Sequence, residues 1–311
     1  MKAQAHGVAA AALLISSAAA APDFSLVNAK LEERIDGMLA IMGFQVIPDV
    51  TTTSLSINSE ASGNPTLLLS QLGAGFTWGD EMPLYLEGML AYSRFDPKFV
   101  ATDGTEQREV PLKWNSAALT AGIGWDFKLS DTLVLRPIAN ATLGYLASDL
   151  TVGSLVIEDR LDKELDFARR GDMKAWGYGG SLVLDYDFDT ATDEFDVELR
   201  YSYMHLKTFD GIAELTGNAD VGSLNLWARW RAPLSDWTAF GNPVRHVVEL
   251  TYSEFLGDQR GALGFERLVS LGAGVELDLN RSEIVDRARV MLRYVSGDNV
   301  SGLSVGFAVT F

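Results

Sequence analysis

Apolar and polar residues alternate along much of this chain, and the C-terminal segment shows the pattern most clearly. There, every second residue is apolar, and the residues between are small or polar. The apolar series is Leu303, Val305, Phe307, Val309 and Phe311. A period of two belongs to a β-strand, whose side chains point alternately to opposite faces, and a helical period does not fit it. We therefore predict a final strand with one fully apolar face.

Segments with the same alternation recur through the preceding chain and predict about twelve strands. They span residues 50–59, 67–78, 84–95, 115–128, 132–147, 176–189, 194–206, 221–232, 244–255, 267–280, 288–297 and 301–311. Ten tilted residues cover roughly 25 Å, the height of the apolar band of an outer-membrane barrel. The sequence thus predicts an all-β fold, a membrane-spanning, antiparallel, up-and-down β-barrel of about twelve strands.

The connections between these segments alternate in length, as they do in bacterial barrels with short periplasmic turns and longer extracellular loops. Thr190–Asp193 is short, whereas Asp96–Asn115 and Ser148–Ala175 are long. Pro233–Pro243 departs from the rule, because it is long for a turn. A soluble β-sandwich or lipocalin-like barrel would also alternate. We favour the membrane barrel, because the apolar faces are long and the opposite faces carry many Gly and Ser residues together with charges.

The beginning of the chain lies outside the strand pattern. Residues 1–20 indicate a secretory signal peptide, with Lys2 before the apolar stretch Val8–Ile15 and small residues at the cleavage site. We divide the remainder into an N-terminal segment, residues 21–48, and the barrel, residues 49–311.

Four apolar residues within the N-terminal segment recur at helical spacing: Leu31, Ile35, Met38 and Met42. Spacing of this kind predicts an amphipathic helix, which we place over Asp23–Phe44 with Gly43 as its end signal. A helix directly before the first strand either threads the lumen as a plug or lies against the periplasmic mouth of the barrel. We favour the lumen.

Composition and charge exclude several kinds of function. The chain has 42 acidic and 25 basic residues, which argues against nucleic-acid binding because phosphates require Lys and Arg. It has no Cys, which removes disulfides, thiolate metal sites and Cys nucleophiles. Of three His residues, His6 lies in the signal peptide, and His205 and His246 fall on the lipid-side faces of their strands. We therefore predict no enzyme, no metal site and no cofactor, and an outer-membrane hydrolase is the least favoured alternative.

The polar faces of the strands predict which charged residues line the lumen. The candidates carry both signs: Glu87, Asp126, Arg136, Asp185, Glu198, Arg200, Arg229, Arg231, Glu249, Glu276, Arg289 and Arg293. Mixed charges predict Arg–carboxylate pairs that narrow the interior, whereas an ion-selective pore would show a ring of one sign. Asp185, Asp187 and Asp189 form an acidic series on one strand face, where calcium binding is the alternative to paired lumen charges.

The short N-terminal helix, the series of about twelve strands and the terminal Phe311 together resemble the translocator β-barrel of autotransporters. The nearest likeness is a solitary autotransporter-like barrel domain, which lacks a large passenger, and it covers roughly residues 24–311. The segment Val305–Phe311, with Phe307 and Phe311, looks like the signal that the barrel-assembly machinery reads. The resemblance implies a place in the Gram-negative outer membrane, in contact with its lipid and lipopolysaccharide. We expect a monomer.

Two functions remain open from the sequence. We favour a structural or surface-exposed barrel that is plugged by its own helix and has no catalytic activity. The alternative is a small channel of the same strand number, which would pass small polar solutes. Only about thirty residues separate the signal peptide from the first strand, so a displayed passenger is not expected.

Overall fold

The computed structural model describes residues 36–48, 54–57, 66–79, 81–96, 98–102, 107–111, 114–148, 172–210, 217–279, 287–298 and 300–310. In these ranges the chain forms a helix, α1, over residues 36–46, and fifteen strands. The strands are β1 (Ser54–Ile57), β2 (Thr66–Thr77), β3 (Leu84–Asp96), β4 (Lys98–Thr102), β5 (Gln107–Pro111), β6 (Trp114–Trp125), β7 (Phe127–Lys128), β8 (Leu133–Ser148), β9 (Asp172–Asp189), β10 (Glu194–Asp210), β11 (Asn218–Ala239), β12 (Asn242–Gly257), β13 (Arg267–Asp278), β14 (Arg287–Gly297) and β15 (Ser301–Thr310). No helix within the described ranges is long and apolar enough to span a membrane.

Twelve antiparallel strands close into a ring, if β6 and β7 are counted as one strand interrupted at Asp126. The order around the ring is β1, β2, β3, β6 and then β8 to β15. The ring closes where β15 pairs with β1, at Ser56↔Leu303 and Ile57↔Gly302. The predicted barrel of about twelve strands is therefore confirmed. The separate β4–β5 hairpin, in the connection from β3 to β6, was not predicted.

The side chains of the ring alternate in burial, with apolar residues on the outside. In β6, Leu119 and Ile123 expose 49% and 53% of their surface, whereas Thr120 exposes 2%. A soluble protein would place its apolar residues inside and its polar residues outside. The inverted pattern is that of a barrel whose outer surface is covered by lipid.

The two ends of the ring differ in their connections. One end, which we name the turn end, carries tight turns at residues 129–132, 190–193 and 240–241. The opposite end, the loop end, carries the β4–β5 hairpin and the connection 258–266. In bacterial barrels the tight turns face the periplasm, so the loop end corresponds to the end that faces outward in those barrels.

The predicted loop Pro233–Pro243 is wrong, because β11 and β12 extend through most of it. Pairing resumes at Thr238 after a register shift that begins at Pro233. The turn consists only of Phe240 and Gly241, whose φ angles are 53° and 78°. Two consecutive positive φ angles are typical of a two-residue hairpin turn. The irregular pairing interrupts the alternation, which explains why the pattern indicated a loop.

Helix α1 lies inside the ring, in its loop-end half. All residues from 39 to 47 except Ile41 are buried, and they contact strands on both sides of the lumen. The predicted lumenal helix is therefore confirmed for residues 36–46, and the alternative position at the periplasmic mouth is wrong. The part of the predicted helix before residue 36 lies outside the described residues.

Gly43 does not end α1, contrary to the prediction. The helix continues to residue 46, and Gly43 is buried against the wall. A Cβ atom at this position would overlap Val221 of β11 and the side chain of Gln259. The glycine is therefore required by close packing rather than by a left-handed helix end.

Candidate functional site in the barrel lumen

Helix α1 contacts the lumen wall on two opposite sides. On one side, Met42 and Val46 join an apolar cluster with residues of β6, β8, β9, β10 and β11. On the other, Phe44 packs against Phe255 and Phe265, with 4.7 Å and 5.6 Å between ring centroids. This second cluster includes residues of β2, β12, β13 and β14. The helix thus bridges the lumen from wall to wall.

Wall side chains also bind the C-terminal turn of α1. Gln71 donates its Nε2 to the carbonyl oxygen of Phe44 at 2.8 Å, and Thr120 donates its hydroxyl to the carbonyl oxygen of Val46 at 3.0 Å. The last carbonyls of a helix have no partners within the helix itself. These hydrogen bonds therefore satisfy groups that the helix leaves open inside the barrel.

Helix α1 runs from the loop end toward the middle of the lumen. At its start, Asp36 Oδ1 accepts a hydrogen bond of 2.8 Å from the backbone N–H of Asn218, the first residue of β11 at the loop end. Just beyond its end, the carbonyl oxygen of Pro48 accepts a hydrogen bond of 3.4 Å from Asn225 Nδ2. The helix therefore starts at the loop end of the barrel.

Below α1, charged side chains reach across the lumen. Arg200 of β10 binds Glu87 of β3 through two hydrogen bonds, Nη2 to Oε1 at 2.7 Å and Nη1 to Oε2 at 3.0 Å. Asn140 donates to the same carboxylate at 2.7 Å. Because both ends of the guanidinium are held, this pair fixes the orientation of both side chains.

A second charged group lies nearer the turn end. Arg136 Nη2 donates to Asp126 Oδ2 at 3.2 Å, and Arg136 Nη1 lies 3.3 Å from Asp185 Oδ2. Its guanidinium also covers the ring of Tyr85, at 4.1 Å from the centroid. Asp185 is thus engaged with an arginine. Among the described residues, no group of three or more potential ligands is arranged to hold a metal ion.

A third charged group joins β10 to its neighbour β11 and to the more distant β14. Glu194 lies 2.9 Å from Arg231 and 2.7 Å from Arg287. Asp196 lies 2.6 Å from Arg229 and 2.9 Å from Arg231. Arg231 therefore bridges two carboxylates, so these residues form a network rather than isolated pairs.

Two further pairs lie among β12, β13 and β14. Arg293 Nη2 lies 2.7 Å from Glu249 Oε2, and Arg289 Nε lies 3.1 Å from Glu276 Oε2. All four side chains are buried. Each of these arginines therefore has a carboxylate on its own side of the ring.

The lumen charges described here are distributed unevenly around the ring. The arc from β3 to β10, which we name the acidic wall, contributes six carboxylates and two arginines to the ion pairs and the cavity: Glu87, Asp126, Asp185, Glu194, Asp196, Glu198, Arg136 and Arg200. The arc from β11 to β14, the basic wall, contributes six arginines and two glutamates to them: Arg229, Arg231, Arg245, Arg287, Arg289, Arg293, Glu249 and Glu276. Walls of opposite sign create an electric field across the lumen.

All twelve residues predicted to line the lumen lie on these two walls. Eleven of them form ion pairs, and Glu198 alone among the twelve does not. The prediction missed Glu194, Asp196, Arg245 and Arg287. Each of these shares its strand face with a predicted residue two or four positions away. They were missed because they lie near strand ends, in stretches that had been assigned to turns or their edges.

A cavity of about 340 Å³ lies between the two walls, next to the end of α1. Pro48 borders it on the side of the helix. Glu87 and Glu198 line it from the acidic wall, and Arg289 and Arg293 line it from the basic wall. The remaining side is formed by β2 and β15, and three of the residues that they contribute are glycines: Gly73, Gly75 and Gly306. At Gly75 and Gly306 the absence of a Cβ atom leaves room that the side chains of Tyr85 and Arg293 fill.

The outer surface of the ring is apolar all the way around. Every strand of the ring from β2 to β15 exposes at least one leucine: Leu72, Leu90, Leu119, Leu143, Leu182, Leu199, Leu226, Leu250, Leu271, Leu292 and Leu303. In one arc they lie side by side, because Leu72 pairs with Leu90, Leu90 with Leu119, and Leu119 with Leu143. A closed ring with an apolar outer surface and a charged interior is suited to span a lipid membrane. This chain is an outer-membrane β-barrel.

Comparison with known proteins finds several solved barrels to which the chain is similar. The chain is similar to the β-domain of the Bordetella autotransporter BrkA, with 16% identity over 83% of this chain and 96% of that one and a TM-score of 0.48. The translocator domain of the autotransporter NalP from Neisseria meningitidis shows 15% identity over 93% and 98% of the two chains, with a TM-score of 0.41. The NanC porin shows 11% identity over 83% and 98%, with a TM-score of 0.38. No family model and no curated protein matches the sequence.

These structures are Gram-negative outer-membrane barrels, and the likeness is one of fold. Two autotransporter domains are thus among the structures of similar fold, and the autotransporter-like resemblance drawn from the sequence extends to the fold alone. The comparisons include both translocator domains and a porin, so they do not separate a plugged barrel from a channel.

The two described histidines lie toward the outer face rather than in the lumen. His205 Nδ1 lies 2.7 Å from Asp220 Oδ1, and the ring of Tyr203, beside it on β10, is exposed. His246 packs edge-on against Trp230, at 4.8 Å between centroids. Within the described residues, neither histidine is hydrogen-bonded to a Ser or Thr hydroxyl that would serve as a nucleophile.

The structure describes one of the two residues that we assign to the assembly signal. Phe307 lies on the outer face of β15, with 74% of its surface exposed, while Phe311 lies outside the described residues. An exposed aromatic ring on the last strand is compatible with contact to lipid or to a partner. Its role in assembly remains a prediction.

Proposed function

We propose that this chain is a self-plugged outer-membrane barrel that acts as a structural or surface-exposed scaffold and has no catalytic activity. The observation that carries the proposal is the position of α1, which packs on opposite walls of the lumen at once. A helix held on one side could swing aside, whereas one held on both sides obstructs the passage. The absence of catalysis rests on the two histidines, which lack a hydroxyl partner among the described residues.

The proposal includes a division of the chain into three parts. Residues 1–20 direct export, residues 21–48 supply the plug, and residues 49–311 form the barrel. We further propose that Phe307 and Phe311 belong to the signal that the barrel-assembly machinery reads, and that the assembled barrel is a monomer. These parts rest on the sequence patterns and on the closed ring, which needs no second copy to pair its edges.

Planar-bilayer conductance of the refolded protein tests the plug. The intact chain should give little or no stable single-channel conductance, and a variant that lacks residues 21–48 should give an open channel. Both proteins must first show the heat-modifiable electrophoretic mobility of a folded barrel. High conductance in the intact protein would contradict the proposal.

A small channel for polar solutes is the second candidate. The cavity below α1 favours it, because a passage needs space lined by polar groups and the cavity has both. Liposome swelling with the intact protein separates the two candidates. Solute-dependent swelling would support the channel, and swelling only after removal of residues 21–48 would support the plug.

A further inference from the structure

The cavity below α1 is lined by charges of both signs in nearly equal number. They belong to four arginines and three glutamates: Arg200, Arg229, Arg289, Arg293, Glu87, Glu198 and Glu249. Each of the four arginines lies within ion-pair distance of a carboxylate. A solute in this cavity therefore meets hydrogen-bonding groups of mixed sign rather than a surface of one charge.

Three polar atoms at the cavity are buried without a hydrogen-bond partner among the described residues. Trp227 Nε1 and Arg293 Nη1 are donors, and Asn225 Oδ1 is an acceptor. Asn225 and Arg293 are only 8% and 5% exposed. A buried polar atom without a partner is unfavourable, so atoms of this kind mark places where another molecule binds.

Two of these groups are held in place by contacts at their other end. Asn225 Nδ2 donates to Ser223 Oγ at 3.1 Å, which leaves Oδ1 as the unused end of the amide. Arg293 donates from Nε to Glu249 Oε2 at 2.9 Å, and Arg293 Nη2 lies 2.7 Å from the same oxygen. This contact leaves Nη1 as the unused end of the guanidinium. The two atoms are thus oriented before a solute enters.

Each unpartnered atom has a group of the opposite hydrogen-bonding kind beside it. On β10 and β11, the donor Trp227 is directly opposite the acceptor Glu198, and Asn225 is directly opposite the donor Arg200. Directly opposite residues have Cβ atoms about 5 Å apart. Arg293 likewise lies beside the glutamate with which it pairs. Donors and acceptors are therefore intermixed over short distances in this cavity.

We propose that this cavity binds a neutral polyhydroxyl solute of the size of a monosaccharide. A hydroxyl group both donates and accepts, so one hydroxyl accepts from Trp227 Nε1 and donates to Glu198. A second hydroxyl donates to Asn225 Oδ1, and a third accepts from Arg293 Nη1. A cavity of about 340 Å³ is at the small end of ligand sites, which limits the solute to about one sugar ring.

A charged group fits these positions less well than a hydroxyl does. A carboxylate that accepts from Trp227 Nε1 would lie beside the carboxylate of Glu198. An ammonium group that binds Asn225 Oδ1 would lie beside the guanidinium of Arg200. Like charges at short range are unfavourable, above all where little water screens them. Water itself donates and accepts as a hydroxyl does, so water alone is the alternative that a binding experiment must exclude.

Isothermal titration calorimetry of the refolded chain tests the proposal, in micelles of a detergent without a sugar headgroup. The neutral probes are glucose and galactose. Their charged counterparts are glucosamine and galactosamine, which carry an ammonium group, and glucuronate and galacturonate, which carry a carboxylate. We expect saturable binding of at least one neutral sugar, and binding about tenfold weaker or worse for both of its charged counterparts. No saturable heat with either neutral sugar would show that the cavity holds only water and would overturn the proposal. A charged counterpart that binds as tightly as its neutral sugar would also overturn it.

A pair of tryptophan variants places the sugar in this cavity. Trp227→Phe keeps an aromatic ring and removes the N–H group, so it should weaken binding of the neutral sugar about fivefold. Trp237→Phe is the matched control, because Trp237 is 70% exposed near the turn between β11 and β12. This variant should bind as the unmodified protein does. Unchanged binding in a Trp227→Phe barrel with the electrophoretic mobility of the folded protein would contradict the proposed site.

Glu198→Gln separates hydrogen bonding from charge. The amide keeps an acceptor and loses the negative charge, so binding of the neutral sugar should change by less than about threefold, whereas the uronate should bind more tightly. A loss of about tenfold or more for the neutral sugar would contradict the proposal, because the charge itself would then be required. Conductance does not enter any of these measurements, so this site and the plug can fail independently.

Discussion

The ion pair between Glu87 and Arg200 allows the energetic role of the lumen charges to be measured. Both side chains are less than one-tenth exposed, so Glu87→Gln leaves a buried guanidinium without its carboxylate. Removing one partner of a buried pair costs about 3–5 kcal/mol, because the remaining charge stays out of water. We expect a value of about 3 kcal/mol, since Ser181 and Ser202 still accept hydrogen bonds from Arg200.

A double-mutant cycle separates the pair from its surroundings. The variant that combines Glu87→Gln with Arg200→Met removes both charges and should recover much of the loss, with a coupling energy of about 2–3 kcal/mol. The assay is urea unfolding of the barrel in lipid vesicles, followed by tryptophan fluorescence and by electrophoretic mobility. All variants are compared at the same lipid composition and salt concentration.

The matched control is a second ion pair with nearly the same separation. Arg260 and Glu266 approach to 2.6 Å, against 2.7 Å for the lumen pair, but they are 45% and 51% exposed. The same cycle on this pair should give about 0–1 kcal/mol, because water and salt screen exposed charges. Equal coupling energies in the two cycles would refute the argument that burial gives the lumen pairs their strength.

Three other contacts give testable outcomes. Gly43→Leu should displace α1 and raise conductance to that of the deletion variant, whereas Gly37→Leu should not, because nothing lies within 4 Å of a Cβ there. The backbone N–H of Glu266 donates to Asp298 and holds the pKa of that carboxyl below its usual range. Because the pKa of the carboxyl is lowered in the folded protein, this hydrogen bond contributes fully above the ordinary carboxyl pKa. Its contribution is lost as the pH falls through the lowered value. The hydrogen-exchange protection of Glu266 should therefore fall only in acid, and protection that is independent of pH would contradict this. Phe307→Ser should reduce the amount of folded barrel in the outer membrane, measured by heat-modifiable mobility, and unchanged assembly would exclude a role in the assembly signal.

Most of the barrel could be predicted from alternation because lipid imposes it. Within the membrane, the strand residues that face lipid must be apolar, and they alternate with residues that face the lumen. The period of two is therefore visible wherever a strand crosses the membrane. Beyond the membrane both faces meet water, and the pattern fades. The structure accordingly extends β9 back to Asp172 and β11 on to Ala239, outside the predicted spans. The β4–β5 hairpin was missed for the same reason.

The sequence predicted which charged residues face the lumen, but not which of them form ion pairs with each other. Alternation shows that Glu87 and Arg200 point inward, but it does not show that β3 and β10 lie opposite each other. That depends on the curvature of the closed ring, which brings together residues 113 positions apart. The unpaired state of Glu198 was equally hidden, because it follows from the partners that the other carboxylates find. Sequence patterns therefore identified the charges, and the ring decided their pairing.

The residues on the lumen face of the wall strands determine where the plug lies. Along β10, the inward residues Arg200 and Ser202 are polar, but the next two, Met204 and Leu206, are apolar and almost wholly buried. A lumen face that turns apolar toward the loop end cannot be covered by water without a large cost, so it requires an apolar occupant. Helix α1 meets it with Met42, which shares the same cluster. The change from polar to apolar along one face of a strand thus predicts both a plug and the half of the lumen it fills, and deletion of α1 should expose this surface to water rather than produce a polar pore throughout.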